Sequence, residues 1–122
     1  MRMLCVLALL LGVTGCNSLS TDRYMNDAYT AYNKGDCGQV MLNLSQAQRY
    51  SRARPWLQPE ISMLRGQCLE RQKYFIDAVQ TYQFIIVTYP TSEYAYRAKS
   101  RLETLRMDGH MPSGVVVQPA RP

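Results

Sequence analysis

Apolar side chains return every three or four positions in five separate stretches of the chain, the spacing that lines one face of an α-helix. In the first stretch Tyr24, Ala28, Ala31 and Tyr32 share a face, Thr21 stands where an N-cap belongs, and Gly35 closes the helix with a turn. The second, about residues 37–50, turns Val40, Leu44 and Ala47 inward. The run SRARPWLQP then carries two prolines that forbid a continuous helix, and Pro59 is placed to open a third helix in its first turn, where a missing N–H costs little. Ile61, Leu64 and Cys68 form the next inward stripe. The fourth helix runs from about Tyr74 to Tyr89 and ends before Pro90. Phe75, Val79, Ile85, Ile86 and Val87 make it apolar around much of its circumference, so one neighbour cannot cover it. The second cover is a fifth helix, capped by Ser92, in which Ala95, Ala98, Leu102 and Leu105 face inward while Arg97 and Arg101 are directed elsewhere. The pattern predicts an all-α domain of five helices over residues 23–107, followed by a flexible tail over residues 108–122. Within that tail Val115 to Val117 are expected to be unstructured in preference to adding as a strand to a partner's sheet.

Small residues fall where two antiparallel helices must touch. Gly66 is the expected point of closest approach on the third helix and Ala78 its counterpart on the fourth, with Tyr82, Ile85 and Ile86 following at helical spacing. Gly66, Leu69, Ala78, Tyr82 and Pro90 together resemble a tetratricopeptide repeat: a small residue in its first helix, a small-then-aromatic pattern in its second, and a closing proline. Upstream, AYNKGDCGQVMLNLSQA resembles a second copy, with Ala28 in the small place, Gly35 and Asp36 at the turn, and Leu44 and Ala47 on the second helix. Val40 replaces the family's alanine, Asp27 stands where a leucine is usual, and the copies lie about four residues further apart than the family's period of about 34. The excess is placed in the linker RARPWLQP. The resemblance implies two tetratricopeptide-like helical hairpins plus a C-terminal capping helix, a five-helix fragment of a right-handed α-solenoid.

A different pattern precedes the helices. Arg2 supplies a positive start, Met3 to Leu11 an apolar stretch too short to span a bilayer, and Gly12 to Gly15 are mostly small. This leader, residues 1–15, ends in Val13-Thr14-Gly15-Cys16, which resembles the bacterial lipobox, where a cysteine is acylated and becomes the new N-terminus. The resemblance implies lipidation of Cys16, with fatty chains such as palmitate, and a polar tether over residues 16–22. Asn17 follows the cysteine where an aspartate is the cue for inner-membrane retention, so the expected location is the periplasmic face of an outer membrane.

The 122-residue chain has 14 Lys plus Arg against 9 Asp plus Glu, a formal charge of +5. That modest excess permits anionic headgroups or acidic protein as partners. It lacks the tight basic run with interleaved aromatics of a nucleic-acid surface, and no nucleic acid is expected. Of the four cysteines, Cys37 and Cys68 lie in the two repeats, and no CxxC occurs. With one histidine, His110, no metal site and no cofactor are implied. In the antiparallel helices of stacked repeats, the midpoint of Cys37 and Cys68 falls in the linker, between Arg52 and Ala53. The two are therefore read as a disulfide across neighbouring repeats, allowed by a secreted context, with two separately buried thiols as the alternative.

No catalytic group stands out. There is no G-x-S-x-G elbow, His110 sits in the tail, and Glu70 and Asp77 read as a solvated side chain and a helix-start charge. The tyrosines mostly occupy packing places, which leaves Tyr29 and Tyr96, with Arg49, Arg52, Arg54, Arg97 and Arg101, as a candidate partner surface. The expected function is that of a non-enzymatic, outer-membrane-anchored lipoprotein that binds or assembles proteins of an envelope complex, as an adaptor or as a homodimer. Two rivals are a pilotin-like chaperone for a secretin or pilus system, and a periplasmic redox or enzyme-accessory protein using Cys37 and Cys68.

Overall fold

A computed structural model describes the backbone of residues 2–111 and the side chains of residues 17–111. Its elements are α1 (Arg2–Asn33), α2 (Cys37–Tyr50), a single 3-10 turn (Pro55–Leu57), α3 (Gln58–Arg71), α4 (Phe75–Thr88) and α5 (Glu93–Met107), with no strand among the described residues. Two units result, one ending at Pro55 and one beginning at Trp56. The leader and the acylated Cys16 fall outside the residues whose side chains are described, and Val115 to Val117 lie outside the described residues altogether.

In the first unit α1 and α2 pack as a hairpin. The turn between them is closed by local chemistry. Gly35 adopts φ +77°, and its N–H donates to the Tyr32 carbonyl at 3.0 Å, while the Asp36 N–H reaches the Ala31 carbonyl at 3.0 Å. These two bonds satisfy carbonyls that the end of α1 would otherwise orphan, and the left-handed backbone they need suits glycine. Asp36 then starts the return helix by accepting from the Gln39 N–H at 3.0 Å. Ala28 and Ala31 on α1, and Val40, Leu44 and Ala47 on α2, are buried.

The start of this unit differs from the expected tether and N-cap. Residues 17–22 belong to α1, and Thr21 is fully buried inside the helix, its hydroxyl donating back to the Asn17 carbonyl at 2.9 Å. A threonine serves mid-helix when its hydroxyl can return to the preceding turn in this way. Arg54 braces this part of α1. Its guanidinium donates to Asp22 Oδ1 at 2.7 Å and to the Ser18 hydroxyl at 3.2 Å, tying the segment after α2 to the first turns of the described side chains.

In the second unit α4 packs on both α3 and α5, and α3 also reaches α5. Its core contains Met63, Ala78, Val79, Tyr82, Ile85, Ile86, Ala95, Ala98, Leu102 and Leu105, with Leu69, Phe75, Tyr94 and Met111 packed against it. Ser92 caps α5 by accepting from the Ala95 N–H at 3.2 Å. Gly66 is the close approach, as expected, but its counterpart is the ring of Tyr82 and not Ala78. A Cβ at position 66 would stand 2.6 Å from Tyr82 Cε1. The ring occupies the notch that the missing side chain leaves.

The α3–α4 turn repeats the first one 38 positions later with a lysine where the first has glycine. Lys73 has φ +66°, its N–H donates to the Glu70 carbonyl at 2.9 Å, and the Tyr74 N–H reaches the Leu69 carbonyl at 2.9 Å. The left-handed region costs an L-residue roughly 1–2 kcal/mol. Lys73→Gly is therefore expected to raise stability by about 1 kcal/mol, read as a higher urea midpoint at unchanged slope; an unchanged or lower midpoint would show that the turn carries no such strain. The same closure ends α5, where Gly109 has φ +76° and the His110 N–H donates to the Leu105 carbonyl at 2.8 Å.

Candidate functional site

Three polar side chains of the second unit converge over the Gly66 notch. Gly66 and Glu70 are one turn apart on α3, so the Tyr82 ring that fills the notch delivers its hydroxyl to Glu70, donating to Oε2 at 2.8 Å. Arg101 on α5 takes the same carboxylate with both ends of its fork, Nε donating to Oε2 at 3.1 Å and Nη2 to Oε1. This corrects two expectations. Glu70 is not a solvated side chain, and Arg101 does not belong to a free partner surface, since its guanidinium is bound to Glu70. Burial, and after it the Glu70 carboxylate, pushes the Tyr82 phenol above its ordinary value, so it stays a proton donor. The bond to Glu70 holds the Arg101 guanidinium charged even more firmly than usual. The arrangement ties three helices together through one carboxylate, and every polar group in it is engaged with another.

The cysteines behave as a staple. Cys37 and Cys68 are disulfide-bonded, and they are 4% and 0% exposed. Sulfurs buried to this degree are poorly placed for exchange with a second thiol.

His110 is held more firmly than its place after the last helix suggests. Its ring stacks on Phe75 at 3.9 Å with an interplanar angle of 10°. It borders a cleft of about 480 Å³ whose walls include Tyr74, Ile76, Asp77 and Met111. Among the described residues, no group of three or more His, Cys, Asp or Glu side chains comes together to hold a metal ion.

The surface residues divide by what already occupies them. Arg54 is taken by Asp22, whereas Arg49 and Arg52 are exposed. Tyr96 is 78% exposed and Tyr29 39%. Arg97 lies over the Tyr94 ring, 5.3 Å from its centroid, where a guanidinium is attracted to the π face. Burial, then the charges of Glu60 and Glu93, push the Tyr94 phenol up to about 12.

One exposed apolar face is a feature that periodicity did not single out. On α4 Ile76, Phe84 and Val87 follow one another at spacings of eight and three, which places them on one helical face, and they are 59%, 49% and 61% exposed. Val87 was expected under cover; α3 and α5 occupy the other sides of α4 and leave this one open. The sequence carried only a hint of it, since α4 is apolar around much of its circumference but that pattern does not say how many neighbours cover it. Comparison with protein-family models, with curated proteins and with solved structures finds no match for this chain.

Proposed function

We propose that this protein is a lipid-anchored binding module: acylated at Cys16, held at the periplasmic face of a bacterial outer membrane, and engaging protein partners of an envelope complex without catalysing a reaction. Its helices are assigned to two tetratricopeptide-like hairpins and a capping helix. The observation that carries the reading is the apolar face of α4, where Ile76, Phe84 and Val87 spread over about 16 Å of helix and are each about half exposed or more. Large apolar side chains gathered on one face mark a surface that another macromolecule covers. Phe84 also stands edge-on to Tyr89, ring centroids 5.8 Å apart, which holds it in place as an anchor for such a contact.

Photo-crosslinking in intact cells tests this reading. A photoreactive residue at position 76 or 84 is expected to trap a protein of the envelope, identified by mass spectrometry, and one at exposed Lys99 on α5 is not. Trapping that is equal at all three positions, or absent at 76 and 84, rejects the α4 face as the partner surface.

A further inference from the structure

Of the five Lys and Arg residues between positions 17 and 55, Lys34 lies at the α1–α2 turn and the other four lie toward the opposite end, the one next to Cys16. Arg54 bonded to Ser18 and Asp22 brings the segment after α2 back beside the start of the described side chains. Tyr24 and Tyr50 stack at 5.8 Å with an interplanar angle of 9°, which puts the last turn of α2 level with residue 24 of α1. Arg49 and Arg52 therefore lie at the level of residues 17–24, together with Arg23. Of the four arginines at this end, Arg54 is bound to Asp22 and Arg23 has Asp27 within reach, while Arg49 and Arg52 are exposed. The next acid, Asp27, is about 16 Å along the helix from Cys16 and approaches Arg23 only to 3.9 Å with both side chains well exposed. Leu19, one turn after Cys16, is 74% exposed.

We propose that this end of the hairpin is a docking surface for anionic phospholipid headgroups. The inference rests on the anchor reading, which brings Cys16 to a bilayer. Because α1 is already helical at residue 17, no slack chain separates the anchor from the fold. The arginines then sit within about a Debye length of the headgroup phosphates, where each contributes roughly fivefold to surface affinity. Leu19 enters the boundary between headgroups and acyl chains beside them, as an apolar residue of an interfacial helix does. An acidic protein would satisfy the arginines but leave Leu19 without an apolar neighbour.

Hydrogen exchange of the full-length purified protein on vesicles tests the proposal. Amides of residues 49–54 are expected to exchange at least about fivefold more slowly on vesicles containing phosphatidylglycerol than on phosphatidylcholine vesicles, and the difference should vanish at high salt and in Arg49→Gln/Arg52→Gln. Equal exchange on the two lipids, or a difference that survives the double substitution, overturns it. Mass spectrometry of the same preparation reads acylation of Cys16 separately. If the cysteine proves unmodified, the anchor reading fails, and the lipid dependence with added vesicles still decides the docking surface, since charge attraction needs no acyl chain.

Discussion

Gly66→Ala will destabilise the second unit by about 2–4 kcal/mol, an unusual result for a change that normally strengthens a helix. Alanine gains about 1 kcal/mol over glycine in a helix interior. Here the added Cβ meets Tyr82 Cε1 at 2.6 Å and two further ring atoms at 3.1 and 3.2 Å. The ring cannot swing aside at little cost, because it is fully buried and its hydroxyl is bonded to Glu70. Overpacking costs about 1–3 kcal/mol, and a hydrogen bond to a charged group contributes about 1.5–3 kcal/mol when lost. The deciding measurement is a double-mutant cycle in urea. In a Tyr82→Leu background, which removes the ring, Gly66→Ala should cost less than about 1 kcal/mol. Strict additivity of the two changes would mean that the notch and the ring do not constrain each other.

Replacing the bridge, Cys37→Ser/Cys68→Ser, is expected to cost about 3–4 kcal/mol. The two cysteines close a loop of 31 positions, and the chain-entropy relation assigns a loop of that size this magnitude. For a chain of this length the loss is a large share of the total, since small domains hold only about 5–15 kcal/mol. The bridge in native protein should resist a thiol reductant until denaturant is added, and reduced wild type should unfold at the midpoint of the double serine variant. Rapid labelling or reduction under native conditions, with no change in stability, would instead assign the pair to thiol exchange.

What the sequence made legible was governed by chemistry within one turn of the chain. Gly35 followed by Asp36 is a helix stop and a helix start on adjacent residues, and α2 begins at Cys37 as expected. Ser92 before an alternation of alanine and leucine gave the start and the inner face of α5. The second turn was harder to read because Lys73 takes the left-handed place with no compositional mark of it. Glu70 and Arg101 looked like surface charges because 31 positions separate them, and their pairing depends on α5 lying against α3, which no local pattern states. For the same reason Gly66 could be recognised as a contact point while its partner could not, since Ala78 and Tyr82 share a face of α4 and only the register between helices chooses the ring. The open face of α4 was hidden by the rule that apolar residues are buried. Periodicity ranks positions by hydrophobicity and is silent on how many neighbours a helix finds.

If the chain is exported as proposed above, the bridge between Cys37 and Cys68 also sets when its fold can lock. In a reducing cytoplasm both sulfurs would remain thiols, and the polypeptide would be at its most pliable before export. A translocation channel admits extended chain, so the covalent lock is absent during transit and forms on the oxidising side. On that reading, rigidity is postponed until export is over.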